Sequence, residues 1–193
     1  MHKLLLYIYF TFFLQPDAFS QIRLENPSFE GDPQDATVPV GWFPCEEGST
    51  PDLLPGPWAV YQTPSDGQSF MGLITREDGT WESVGQRLSQ PMQNGQCYYM
   101  DIDLAFSDTY AGYNQPIKFR IWGGYSRCEK QILLGHTVTV NHTDWRTYRF
   151  LFAPNQPINY IIFEAYYPNS ANNIYKGNIL IDNCSAIKVC IRA

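Results

Sequence analysis

Asp101 and Asp103 stand two residues apart, a spacing that puts both carboxylates on one face of an extended strand. Together with Glu164 from another segment, they are the side-chain types that glycosidic hydrolysis uses, where two carboxyl groups flank the bond that breaks. The same residues suit a plainer task. Carboxylates on a sheet surface accept hydrogen bonds from sugar hydroxyls, or from Lys118 and Arg120. We prefer the plainer reading, since paired Asp residues on a strand need no reaction to explain them. Other reaction chemistry lacks its motifs: there is no G-x-S-x-G, no H-E-x-x-H and no phosphate-cradling Gly loop with Lys. Zinc is a poor fit, because no C-x-x-C pair occurs and only His136 and His142 lie beyond the first twenty residues. The expectation is a chain that is not an enzyme and has no catalytic residue.

Alternation positions these side chains. In 117–122, Ile117, Phe119 and Ile121 alternate with Lys118, Arg120 and Trp122, so an apolar face turned to a core turns the other three outward. By the same parity Asp101 and Asp103 face away from Met100, Ile102 and Leu104. In 159–167, Ile161, Phe163 and Ala165 can face the core, which leaves Glu164 and Tyr166 on the opposite side. If the three strands share a sheet, one surface carries Trp122, Arg120, Lys118, Asp101, Asp103, Glu164 and Tyr166. Arg and Asp can each engage two oxygens and the rings supply stacking, which suits a hydroxyl-rich ligand. The alternative is an ion-paired sheet surface under a loop, with Trp122 as a plug. Sheet membership separates the two.

Further strands are expected at 147–152 and 178–183, with shorter ones at 57–62, 69–75, 82–89 and 137–140. Turn signals punctuate them at Asp66-Gly67, Asp78-Gly79, Asn94-Gly95, Gly123-Gly124 and Lys176-Gly177. No segment carries a helical stripe. Short strands with such punctuation give an all-β fold, an antiparallel sandwich or barrel. The Pro- and Gly-rich stretch 40–57 reads as a long loop.

The chain of 193 residues suits one domain behind an export signal. Lys3 precedes an apolar run from Leu4 to Leu14 broken by Thr11, too short to span a membrane and long enough for a signal-peptide core. Ala18-Phe19-Ser20 supplies small residues for cleavage after Ser20, leaving one module over 21–193. A secreted or cell-surface location follows. The net charge of −6, with no basic cluster, argues against nucleic acid and anionic membrane as partners. The module is expected to be a monomer that does not insert into membrane. Export favours disulfides among Cys45, Cys97, Cys128, Cys184 and Cys190, with at least one thiol left over because the number is odd. Cys184 and Cys190 are not expected to bridge if the chain between them is extended, since six residues of strand span about 20 Å.

Several patterns in order carry a resemblance. They are Asn26-Pro27-Ser28-Phe29-Glu30 with Gly41-Trp42, then Ser65 to Leu73, then Glu82 to Leu88 with Asn94 to Tyr99, then Thr143-Asp144-Trp145-Arg146-Thr147-Tyr148, and last Ile179-Leu180-Ile181-Asp182-Asn183. Together these resemble carbohydrate-binding modules of the galactose-binding-like jelly-roll class, over nearly the whole chain past the signal. Ser49-Thr50-Pro51-Asp52 and Arg120-Ile121-Trp122-Gly123-Gly124 resemble modules of secreted, gliding-motility-associated bacterial surface proteins. The resemblance implies a β-sandwich that binds a glycan or cell-surface polymer; the alternative is a structural or adhesion module without sugar binding. It also implies a structural calcium ion joining the chain ends, with Glu30 and Asp182 supplying charge and the loop around Gly67–Ser69 a source of backbone ligands.

Overall fold

The computed structural model describes residues 21–167 and 175–191; the export segment expected over 1–20 lies outside them. Two antiparallel sheets form a sandwich. One has five strands in the order β1 (Phe43–Pro44), β4 (Ser83–Met92), β10 (Ile158–Tyr166), β7 (Lys118–Gly124) and β8 (Ile132–His136). The other has seven. Its order runs β2 (Asp52–Leu54), β3 (Phe70–Thr75), β11 (Gly177–Asp182), β5 (Tyr98–Ala105) and β12 (Lys188–Val189), with β9 (Arg146–Phe152) also on β5 and β6 (Gln115–Pro116) parallel to β11.

The alternation read from sequence sets the core. Met100, Ile102 and Leu104 from β5 meet Ile117, Phe119 and Ile121 from the 117–122 segment and Ile161, Phe163 and Ala165 from β10, all at 0% exposure. The five main strands fall where alternation put them. Two short expectations fail. Residues 57–62 form no strand but a single 3-10 turn at Pro57–Ala59, with Trp58 and Ala59 in the left-handed region at φ 54° and 62°. Residues 137–140 are outside any strand, and β8 lies just before them in Ile132–His136, whose Ile-Leu-Leu-Gly-His run has no alternation to betray it. The 40–57 stretch contains β1 and β2, each an edge strand of two or three residues.

Neither outer face is bare. Over the seven-stranded sheet, the segment after β2 and the segment after β5 enclose a second small core of Leu54, Val60, Phe70, Ile74, Ala105, Tyr110 and Leu180. Over the five-stranded sheet, the chain after β1 is tied by the Cys45–Cys128 disulfide to the turn after β7. A second disulfide, Cys97–Cys190, pins β5 to the chain beyond β12. Cys184 is the free thiol among the five; burial pushes it well above its ordinary value, which makes it inert.

The chain ends meet through backbone hydrogen bonds and ring packing. Ile22 and Ile187 exchange backbone hydrogen bonds, and the Cys184 N–H donates to Pro27 O. Phe29, wholly buried, packs on Trp42 at 5.0 Å between ring centroids, and Trp42 packs on Phe163 at 5.0 Å. Glu30 and Asp182 grip opposite ends of the 65–69 loop. Both Glu30 oxygens accept from the Gln68 N–H, while Asp182 Oδ2 accepts from the N–H groups of Ser65 and Asp66 and Oδ1 from that of Asn183. Calcium needs six to eight oxygen donors. Here the carboxylate lone pairs face N–H groups, and no cluster of three or more His, Cys, Asp or Glu suited to a metal occurs among the described residues. These residues do not fit the calcium cage implied by the resemblance; the N–H groups offset part of the charge, and burial still raises the Asp182 carboxyl.

That arrangement generates two predictions. A chelator should leave the melting temperature unchanged, whereas Glu30→Ala should lower it by about 3 °C through the lost loop contacts; a fall with chelator that calcium reverses would reinstate the ion. The second concerns pH. Asp52 is 3% exposed, and burial pushes its carboxyl from an ordinary 3.8 up to about 7, against hydrogen bonds from the Tyr110 hydroxyl and the Ala36 N–H. Burial raises Asp182 to about 7 as well. A raised carboxyl binds its proton more tightly in the folded chain, so its stabilisation is complete below about pH 4 and is lost as pH rises through about 7. The urea midpoint should fall from about pH 5 to about pH 8, and Asp52→Asn should flatten that slope. A midpoint that climbs over the same interval contradicts the assignment.

Candidate functional site

Glu164 lies on the outer side of β10 yet is 3% exposed. A carboxylate that dry needs donors, and four side chains provide them. Trp122 Nε1 donates to Oε2 at 2.7 Å, Trp81 Nε1 to Oε1 at 2.9 Å and Lys130 Nζ to Oε1 at 2.7 Å, while the Arg120 guanidinium stands 3.5 Å from Oε2. Register explains how they meet. On β7, Arg120 is directly opposite Glu164 and Lys118 opposite Tyr166, with Trp122 opposite Ile162. The Arg120 guanidinium lies over the Tyr166 ring, and Trp81 meets that ring edge-on at 5.5 Å.

Lys130 and Glu46 arrive by another route. Lys130 follows the turn after β7 and Glu46 follows β1, and the Cys45–Cys128 bond brings the two segments together with a Cα separation of 4.9 Å. Lys130 then bridges Glu46 and Glu164. Gly85 on β4 makes room for this cross-link, since a Cβ there would sit 2.8 Å from Cys45 Sγ. Beside the cross-link a cleft of about 560 Å³ opens, lined by Glu46, Glu47, Gly79, Thr80, Trp81 and Glu164. Trp81, Trp122, Arg120 and Tyr166 are all half-buried around it.

Five of the seven residues expected to share a surface do so: Lys118, Arg120, Trp122, Glu164 and Tyr166. Asp101 and Asp103 do not join them, because β5 belongs to the other sheet. Asp101 takes a two-pronged contact from Arg149, at 2.7 and 2.8 Å, which holds its carboxyl below the ordinary value. Asp103 accepts from Thr147, Ser65 and Asn183. The parity argument was right for each strand, but parity carries no information on which sheet a strand enters. Trp81, Lys130 and Glu46 were missed. Trp81 had a signal: it has the same parity as Ser83 and Gly85, so extending the expected strand at 82–89 back by one residue places it outward. Lys130 and Glu46 had none, because five cysteines leave the pairing open.

The arrangement can hold a polar ligand against rings; it is a poor place for hydrolysis. The ammonium of Lys130 fills the space between the Glu46 and Glu164 carboxylates, where a glycosidic oxygen would have to enter.

No protein-family model matches the chain, and no curated protein matches it. Solved structures do. An arabinose-bound α-L-arabinofuranosidase is 11% identical with a TM-score of 0.55, over 89% of this chain and 26% of that one, so the chain spans about a quarter of the enzyme's length. The CBM22-1 xylan-binding domain from Paenibacillus barcinonensis is 13% identical with a TM-score of 0.55, over 93% of this chain and 100% of that one. The K2 cleaved adhesin domain of Lys-gingipain is 10% identical with a TM-score of 0.52, over 86% and 97%. These likenesses lend no support to the gliding-motility resemblance. At such identities the likeness is one of fold: this chain is an all-β, two-sheet antiparallel sandwich like those of carbohydrate-binding modules and adhesin domains.

Proposed function

We propose that the chain is a non-catalytic module of the cell exterior that binds a neutral glycan in the cleft beside Trp81 and Glu164. The observation that carries this reading is the ring set around a fully engaged carboxylate. Trp81, on the cleft wall, is fixed by its hydrogen bond to Glu164 and its edge contact with Tyr166, while Arg120 lies over the Tyr166 and Trp122 rings behind it, so the Trp81 ring is preorganised. A pyranose presents an apolar face to such rings and hydroxyls to Glu46, Glu47 and Thr80 at the cleft wall. The xylan-binding domain above supports the reading by fold. The two disulfides suit an oxidising space outside the cytoplasm. Adhesion to a protein is the second reading, favoured by the adhesin likeness.

Two experiments bear on it. A panel of soluble polysaccharides should yield at least one that binds, and Trp81→Ala should weaken that binding at least tenfold, about 1.4 kcal/mol, in a chain that keeps its folded circular-dichroism spectrum but melts at a lower temperature because Glu164 loses a donor. If no member of a panel of plant, fungal and bacterial glycans binds, the adhesion reading takes its place. Removing the Cys45–Cys128 bond as a Ser/Ser pair should also weaken binding about tenfold or more, because Glu46 and Lys130 lose their anchor. Each disulfide stabilises by about 2–4 kcal/mol, so the Ser/Ser pair at Cys97 and Cys190 is the control: it should cost similar stability and leave affinity intact. Equal affinity losses in both would show that the cross-link matters to the fold alone.

A further inference from the structure

Across the sandwich, on the outer side of the seven-stranded sheet, Tyr61 is 77% exposed. Its position is set with care. Val60, the preceding residue, is wholly buried in the second small core, so the next side chain must point to solvent. The strap that carries both is pinned along its length. The Ala111 N–H donates to Trp58 O at 2.9 Å, Thr109 Oγ1 to Ala59 O at 2.9 Å, Gln62 Nε2 to the Thr143 carbonyl at 2.7 Å and Trp145 Nε1 to Thr63 O at 2.8 Å. Trp58, 42% exposed, is tied through Nε1 to Asp35 Oδ1 at 2.9 Å, and stands edge-on to Tyr113. A surface tyrosine is ordinary; one held out from a loop this heavily braced is a prepared surface. Left-handed backbone at Trp58 and Ala59 is part of that bracing.

Beside Tyr61 lies a pocket of about 250 Å³, lined by Ala59, Tyr61, Gln62, Ser107, Asp108 and Thr109. Its contents are chemically mixed. Tyr61 offers a ring face. Gln62 has its amide nitrogen engaged, which leaves its carbonyl oxygen as an acceptor. The Asp108 carboxylate is exposed. Acceptors of this kind want hydroxyl donors, and a carboxylate can take two neighbouring hydroxyls at once. The volume is below the range of about 300–1,000 Å³ that holds drug-sized ligands, so one ring fits and a folded partner's side-chain cluster does not.

We propose that this pocket is a second carbohydrate subsite, in which one sugar ring stacks on Tyr61 and gives its hydroxyls to Asp108 and Gln62. It stands on the opposite sheet from the Trp81–Glu164 cleft and shares no residue with it. Each site therefore survives loss of the other, and a long polysaccharide has two independent points of attachment.

The test uses ring-labelled tyrosine and titration with cellohexaose, mannohexaose and chitotetraose, with Tyr61 assigned from Tyr61→Phe. At least one oligosaccharide should move the Tyr61 ring signals in a saturable way at millimolar concentration. Tyr61→Ala and Asp108→Ala should each weaken that binding at least tenfold without altering the melting temperature, as both side chains are exposed. Trp81→Ala should leave the Tyr61 response unchanged, which separates this site from the cleft. If none of the three moves the Tyr61 signals, or if the response disappears with Trp81→Ala and persists in Asp108→Ala, the subsite is refuted. Binding at the cleft alone would refute it as well and leave the first reading standing.

Discussion

A carboxylate almost wholly out of water cannot stand alone, and the cleft is organised around the answer to that demand at Glu164. Its two oxygens collect an indole N–H from each of two tryptophans, an ammonium and a guanidinium. The four donors come from three pieces of chain: Trp81 from the entry to β4, Arg120 and Trp122 from the middle of β7, and Lys130 from the turn beyond it. The hydrogen bonds that satisfy one buried charge thereby fix the orientation of two large rings. Arg120 passes the constraint on to Tyr166 by lying over its ring. A ring on a surface strand would otherwise sample several rotamers; here the alternatives cost a hydrogen bond to a buried anion, worth more than an ordinary one.

The two outer faces show two solutions to the same problem. A sandwich of this size has more sheet surface than its inner core can use, and apolar residues on the outer side must be covered. On the seven-stranded sheet the cover is a miniature core, in which Val60 and Tyr110 reach down onto Phe70 and Leu180. On the five-stranded sheet the cover is covalent. The Cys45–Cys128 bond draws the chain after β1 across Gly85, and Ile162 is buried beneath it though it faces away from the main core. The first cover depends on packing and leaves a shallow pocket at its rim. The second leaves a larger cleft beside it, about 560 Å³ against about 250 Å³.

What sequence could say about this molecule follows from how local each feature is. Alternation is local, so the buried face of β5, β7 and β10 was legible down to single residues. Phe29 and Trp42 stand in a motif that the resemblance uses, but their packing on each other and on Phe163 joins three separate segments and was not legible. Sheet membership is not local. Nothing in Asp101 or Asp103 distinguishes a strand of one sheet from a strand of the other, and so the expected surface divided in two. Trp58 and Ala59 show the converse case. Residues 57–62 carry the strand-forming types Trp58, Val60 and Tyr61, but Tyr113 and Asp35 hold Trp58 from outside the segment, and the backbone turns left-handed instead. Sequence could not show that Glu30 and Asp182 accept from N–H groups of the 65–69 loop, with Asn183 a further donor to Asp182.

Charge sets the remaining limit on what the cleft can hold. The chain carries a net −6, yet beside the cleft Lys130 and Arg120 offset Glu46 and Glu164. A balanced site gives no long-range steering to an ionic ligand, and its own ion pairs already consume most of the charge. What is left for a ligand is ring surface and hydrogen-bonding groups at the wall. Those terms are individually small, on the order of 1 kcal/mol each, so a lone sugar chain in one cleft gains only modest affinity. A polymer that meets the same protein at more than one place escapes that limit, since the second contact forms at the high effective concentration set by the first. A near-neutral, ring-lined cleft therefore makes most physical sense against a long, uncharged and repetitive ligand.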